Sequence, residues 1–472
     1  MARTLVRLTL IPTPGVAFAP MVVRCGRAGQ FLFHSVPDGF YILSATRDHY
    51  FPTAYGQRLP SGRGAPFQVT RDSDLFAELR MRRMAAISGR ILDENGIGLP
   101  GVNVVAYRTR LPLRVAASAV SDDRGVYRIH DLEPGRYWVR TGPQTLEDAS
   151  GLLPTFSPES HETREARSYF AAVDSETTDA DVRPLQGNLL RLTVLPQCQP
   201  DLDPVTVFIS SETERRLGRT RCGESYTFEG VAPMGYDIYA EKVDGTQFGF
   251  MELTVGRDEL ATLIMAPPQR ISLMYQKAGG GGNIPNPTVS LVVRRQDPSG
   301  PGVAQEIKTA QTTLPPGYWE MGARVEPGQY VESIGNPYGG GRRSWRIERP
   351  TDWFEVLIES RGQTTIRVVV SDKAGSITGA VAAEAKPVPG IPVFLLPVAE
   401  QVRRSIHGQL QTLTDVNGQY NFGNLPPGEY RMVATFDLNE ADDESMDLAH
   451  AITVHVDSSQ AANVALTPWV AP

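Results

Sequence analysis

Pro/Gly turns followed by an aromatic recur along this chain, and the turn glycines Gly39, Gly135, Gly235, Gly328 and Gly428 lie 96, 100, 93 and 100 residues apart. A beat near a hundred residues exceeds the roughly 20 to 50 of a solenoid unit and matches one small independent domain. In the clearest copies Gly125, Tyr127, Ile129, Leu132, Pro134, Gly135 and Tyr137 are answered by Gly418, Tyr420, Phe422, Leu425, Pro427, Gly428 and Tyr430. Alternating Tyr and Ile or Phe put two large apolar groups on one face of an extended segment, and Pro and Gly supply the φ values that reverse it. Each copy therefore predicts a hairpin.

A length of 472 residues would suggest about three domains of roughly 150 residues, but the beat argues for about five near the size of an immunoglobulin-like sandwich. The expected boundaries are 1–84, 85–186, 187–268, 269–372 and 373–472. Each unit opens with a strand such as Ile87, Gly89, Ile91 or Ile377, Gly379, Val381, and closes on apolar alternation such as Val454 and Val456 followed by Val464 and Leu466. Outside an insertion near 158–171 no dozen residues carry an apolar period of about 3.6, so the chain reads as all-β with seven or so strands per unit. Units three and four look degenerate, the fourth keeping only Val325, Pro327, Gly328 and Tyr330 around its turn. Registering the first unit on the second by 96 residues aligns Phe31, Phe33 and Tyr41 with Tyr127, Ile129 and Tyr137. The counterpart of Ile87 then falls before Met1, so the first sandwich is expected to lack its N-terminal strand and to leave an unpaired edge. The same truncation would remove a signal peptide.

The runs Ile87-Ser88-Gly89-Arg90-Ile91, Leu99-Pro100-Gly101-Val102-Asn103-Val104, Gly125-Val126-Tyr127-Arg128-Ile129 and Leu132-Glu133-Pro134-Gly135-Arg136-Tyr137 resemble the carboxypeptidase regulatory-like domain. Ile377-Thr378-Gly379 through Pro426-Pro427-Gly428-Glu429-Tyr430 is a second match, and the first unit matches from its second strand onward. The resemblance implies a tandem array of prealbumin-like, seven-stranded β-sandwiches with a carbohydrate-binding-like fold. It implies folding, spacing and binding roles in exported bacterial proteins and no chemistry of its own.

The residues themselves offer little chemistry. His130 and Glu133 have the spacing of a zinc carboxypeptidase ligand pair, but both sit in the repeated hairpin, Val36 and Pro37 follow the equivalent His34, and no third ligand is identifiable. Asp415-Val416-Asn417-Gly418 and Asp122-Asp123-Arg124-Gly125 resemble half of a calcium loop without its closing Glu, which is also what a hairpin turn requires. The acidic run Asp437, Glu440, Asp442, Asp443, Glu444 and Asp447 reads as a solvated loop. Glycines 279–282 and 339–341 lack the Lys-Ser/Thr and helix of a phosphate loop and read as hairpin tips. No nucleophile elbow, metalloprotease helix or paired-carboxylate cleft is present, so no catalytic, metal or cofactor residue is assigned and the chain is read as a non-enzyme.

A net charge of −7 and arginine clusters without interleaved aromatics argue against nucleic acid, and no apolar run approaches the roughly 18 residues of a membrane span. Cys25, Cys198 and Cys222 match no zinc spacing. Cys198 and Cys222 share one unit, so a bridge and free thiols both remain open. Aromatics outside the strand alternation, Tyr50, Phe51, Tyr55, Phe156, Tyr169, Trp345 and Trp353, are the candidate ligand-binding residues, since flat rings stack on sugars or peptides. The expectation is a rod-like extracellular, periplasmic or outer-membrane-associated spacer or adhesion module, with cell-surface polysaccharide or another envelope protein as partner. A peptidoglycan or carbohydrate binder, or an accessory region of a larger exported enzyme or outer-membrane receptor, are the alternatives.

Overall fold

The structure is a computed structural model that describes residues 4–11, 19–59, 62, 64–71, 74–109, 115–146, 151–199, 203–211, 215–280, 282–284, 289–297, 300–301, 303–307, 311–336, 353–360, 362–405, 411–438 and 441–471. It is almost entirely β, and the strand pairings stay within 5–83, 85–187, 190–266, 269–371 and 375–468. The last four of these groups each build two main sheets on one plan, with a further small sheet in 85–187 and another in 375–468. A central opening strand runs antiparallel to the first hairpin strand and parallel to the closing strand. This is Ala85–Arg90 between Val126–Leu132 and Glu176–Thr177, Leu190–Gln197 between Tyr226–Val231 and Glu259–Ile264, Gln269–Lys277 between Gln311–Leu314 and Thr364–Ser371, and Gly375–Ala380 between Gln419–Leu425 and Ala461–Asn463. The second sheet carries the other hairpin strand, as in the order Gln411–Leu413, Pro392–Pro397, Gly428–Ala434, Ile452–Val456. The core lies between the sheets: Ile377, Val381, Val393, Leu395, Tyr420, Phe422, Tyr430 and Met432 form one cluster, and the alternation read from the sequence is what turns them to a common side.

The recurrent aromatic closes each hairpin in the same way. Tyr41, Tyr137, Tyr236 and Tyr430 donate their hydroxyls to the carbonyls of Pro37, Glu133, Ala232 and Pro426, each four residues back, at 3.0, 2.8, 3.2 and 2.6 Å. Trp319 does this with its indole N–H, 2.9 Å from the Pro315 carbonyl. The fourth hairpin therefore turns at Gly317 and not at Gly328. Leu314-Pro315-Pro316-Gly317 repeats Leu425-Pro426-Pro427-Gly428, while Gly328 sits in the next turn, before Tyr330–Gly335. The insertion near 158–171 is not helical either; it ends in the strand Ser168–Ala171.

Where a strand of the second sheet is buried on both faces, something covers its outside. In the second group Phe156 packs on Val105 and Tyr107. In the fifth, the helix Asp443–Leu448 and the following chain lay Met446, Ala449 and Trp469 against Phe394, Leu396 and Val433. In the third, the cover is the fourth group: Tyr239 stacks on Phe208 at 4.8 Å and meets Phe250, Phe250 meets Tyr318 edge-on at 5.7 Å, and Arg295 lies over Tyr239 at 5.4 Å. Tyr318 donates to Glu252 at 2.8 Å and Ser360 to the Phe250 carbonyl at 3.1 Å across the same contact.

The first group has one sheet, with Leu5–Leu10 between Met21–Arg24 and Gly39–Thr46. Among the described residues this group shows no counterpart of the opening strand. It also touches the fifth group, because Gly62 stands against the Phe436 carbonyl and Gly390 against Ile11. An open rod would not bring these together, so the rod-like arrangement expected from the sequence is corrected.

Candidate functional site

The candidate aromatics separate by burial. Phe51, Phe156, Tyr169 and Trp353 are buried and present no free ring face. Phe156 packs against Tyr107 and Trp138 and lies beneath the Arg140 guanidinium, and Trp353 is covered by Arg294 at 4.3 Å. Phe156 covers an outer face, whereas Tyr169 belongs to the core of the second group on the strand Ser168–Ala171. Tyr50 and Tyr55 keep accessible surface, with Arg47 over Tyr50 at 4.9 Å and Phe67 edge-on to Tyr55 at 5.5 Å. Trp345 lies outside the described residues.

Tyr169 borders a cavity of about 310 Å³ together with Leu92, Pro158, Arg167, Asp179, Asp181 and Arg183. Its hydroxyl is taken up by Ser157 Oγ at 2.6 Å, and Arg167 lies over its ring. Asp181 accepts from the Arg90 N–H at 2.8 Å. The lining offers two guanidinium groups and two carboxylates.

The densest cluster of chemistry-bearing groups joins the first and second groups. Asp131 accepts from His49 Nδ1 at 2.9 Å on both carboxylate oxygens and from His130 Nδ1 at 2.9 Å, with the two imidazoles edge-to-face at 5.8 Å. Both His49 and Asp131 have positive φ, 65° and 60°. Asp131 occupies a bulge where the register slips between Ala85 and Ile87, and the Met84 N–H to His49 carbonyl bond holds the other side. Partial desolvation works against ionisation of Asp131, yet the two imidazole hydrogen bonds hold its carboxyl below the usual range. Two imidazoles and a carboxylate within 4.8 Å of one another could hold a divalent ion with a water in the fourth position. His130 enters this cluster, but Glu133 does not; it pairs with Arg108. Sequence spacing could not find His49 and Asp131, which are 82 residues apart.

The other residues singled out in the sequence hold the fold. Asp122 Oδ1 accepts from the Arg124 and Val126 N–H groups at 2.9 and 2.8 Å, and Asp415 Oδ1 from those of Asn417 and Gln419, both at 2.8 Å. They are turn caps. The acidic run is not simply solvated: Asp437 is buried and accepts from the Ala471 N–H at 2.9 Å, Asp442 caps the helix Asp443–Leu448, Asp443 pairs with Arg403, and Asp447 with Arg431. Glu440 and the glycines at 339–341 lie outside the described residues. Cys198 and Cys222 form a disulfide with Cα atoms 5.3 Å apart, and Cys25 is free. Among the described residues no helix is long and apolar enough to cross a membrane.

No curated protein matches the chain. Similar solved structures include the Bacillus anthracis TIE protein, 12% identical over 89% of this chain and 71% of that one, TM-score 0.18. The major pilin subunit BcpA of Bacillus cereus is 10% identical over 82% and 99%, TM-score 0.16, and a Streptococcal ancillary pilin 11% over 58% and 98%, TM-score 0.17. At these TM-scores the likeness carries no functional argument. Residues 86–151 match the family of carboxypeptidase regulatory-like domains, with the Asp122 turn and the Tyr137 hairpin inside the matched span.

Proposed function

We propose that this chain is a non-catalytic structural and binding protein of the cell envelope or extracellular space, a spacer or adhesion module of five sandwiches. The observation that carries the reading is the parallel pairing of opening and closing strands. Seven residue pairs join Gln269–Lys277 to Thr364–Ser371, and six join Leu190–Gln197 to Glu259–Ile264. When the ends of such a sandwich are pulled apart, force runs along the strands, so the ladder yields all at once instead of bond by bond. Each backbone bond contributes only about 1 kcal/mol net, and resistance to pulling comes from breaking many together. The Cys198–Cys222 bridge supports an oxidising compartment. The Tyr hydroxyls and turn aspartates that the sequence offers as chemistry act as framework bonds, which supports a structural role.

Single-molecule force spectroscopy tests this. Pulled by its ends, the chain should unfold at clearly higher forces than when handles at the Gly317 and Gly428 turns peel the same sandwiches open. Equal forces in the two geometries, or a hydrolytic activity abolished by one substitution, would overturn the proposal.

A further inference from the structure

The opening strands of the second, third and fifth groups meet their hairpin strands across the same irregularity. The register slips so that His130 and Asp131 stand opposite the single residue Ala86, Glu229 and Gly230 opposite Arg191, and Gly423 and Asn424 opposite Ser376. The second bulge residue has positive φ each time: 60° at Asp131, 65° at Gly230 and 58° at Asn424. It also stands at the joint with the preceding group, for Gly230 lies by Thr145 and Asn424 accepts from the Gly328 N–H at 3.0 Å. Glycine or asparagine meets the φ at two of these three positions, and in the second group the bulge instead carries a His–Asp pair. Neighbours on a strand point to opposite faces unless a bulge re-aims one of them; here His130 and Asp131 come together at 2.9 Å. A second imidazole is brought to them from the first group. The Met84 N–H bonds to the His49 carbonyl at 3.1 Å and the Phe51 N–H to the Arg82 carbonyl at 2.9 Å, which fixes the backbone of His49 to the segment running into Ala85.

We propose that His49, His130 and Asp131 bind one divalent first-row transition ion of the Zn²⁺ class, and that the ion cross-links the first and second groups. Two imidazole nitrogens with one carboxylate oxygen select this class over Ca²⁺ and Mg²⁺, which take oxygen ligands. A tetrahedral ion about 2.0 to 2.2 Å from each donor holds the donors about 3.3 Å apart. Both Nδ1 atoms are 2.9 Å from the carboxylate, and the three donors lie within 4.8 Å of one another. Small side-chain rotations therefore let an ion replace the protons they share, each imidazole keeping its remaining proton on Nε2. All three side chains reach solvent, which supplies an entry path and a water in the fourth position. One ligand belongs to the first group and two to the second, so the bound ion favours the docked arrangement of the pair. The inference stands on this geometry and does not depend on the proposed mechanical role.

Calorimetric titration of the untagged full chain with Zn²⁺, read together with hydrogen exchange, tests the site. One saturable equivalent is expected, unaffected by excess Ca²⁺, and X-ray absorption at the zinc edge should show nitrogen and oxygen ligands only. His49→Asn and Asp131→Asn keep a residue that tolerates positive φ, and each should weaken binding by more than about tenfold. His455→Ala, at another His–Asp pair, should leave binding unchanged. Zn²⁺ should slow exchange at 47–51 and 128–132 together in the native protein, and at neither segment in the two asparagine variants. The absence of a saturable site overturns the proposal, as does a site that both asparagine variants retain. So does a sulfur ligand at the zinc, which would place the ion at the free Cys25.

Discussion

Gly379 faces the Val464 carbonyl so closely that a Cβ there would lie 1.8 Å from the oxygen, and Gly89 meets the Ala180 carbonyl in the same way at 2.4 Å. The obstacle is backbone, so the closing strand would have to move. Gly379→Ala is expected to cost about 3 kcal/mol or more in urea unfolding, while Gly423→Ala, which meets nothing within 4 Å, should stay within about 0.5 kcal/mol. The Tyr420 hydroxyl donates to the same Val464 carbonyl at 2.7 Å, and burial pushes its pKa up to about 12. Because the folded value lies above the unfolded value of about 10, the stabilisation is complete below pH ~10 and is lost as pH rises towards ~12. Tyr420→Phe should flatten that alkaline loss and cost about 1 kcal/mol near neutrality. Stability measured against pH for both proteins checks it.

Among elements, the third group carries a covalent tie. Cys198 follows Leu190–Gln197 and Cys222 follows Arg215–Arg221, so the bridge pins the opening strand of one sheet to an edge of the other across 24 residues. Closing a loop of that length stabilises by about 3 kcal/mol in the chain-entropy account. Reduction, or Cys198→Ser with Cys222→Ser, should speed proteolysis and hydrogen exchange within 190–266 and leave 375–468 unaffected. The hairpins were legible in the sequence because period-two alternation and Pro/Gly turns are local. The fourth was misplaced because Trp319 replaces the tyrosine and a second Pro-Gly pair, Pro327-Gly328, sits nearer the expected spacing. The covers on the outer faces were less legible: Val207, Phe208 and Ile209 are buried in succession, which reads equally as a buried strand of any sheet. The His49–Asp131–His130 cluster depends on two positive-φ residues from separate groups, a juxtaposition that periodicity does not encode.

At the scale of the molecule, the contacts between groups bear on how independently the sandwiches move, the His49–Asp131 link between the first and second among them. The third and fourth groups share aromatic rings, the Tyr318–Glu252 hydrogen bond and the Arg295–Glu241 pair at 3.3 Å. The first and fifth groups meet at Gly62 and at Gly390, where a Cβ would already lie 2.9 Å from Ile11 Cδ1, at a φ of 68°. A fully compact chain of this length would have a radius of gyration of about 23 Å, and an array spread end to end a much larger one. Small-angle X-ray scattering should place the native protein between these limits, and Gly390→Trp should raise both the radius and the maximum dimension without shifting the unfolding transition of the third and fourth groups. An unchanged scattering profile would mean that the sandwiches are held in place elsewhere. A rise would place a hinge of the array at the Gly390–Ile11 contact, a point from which tension on the chain would extend it before any ladder is sheared.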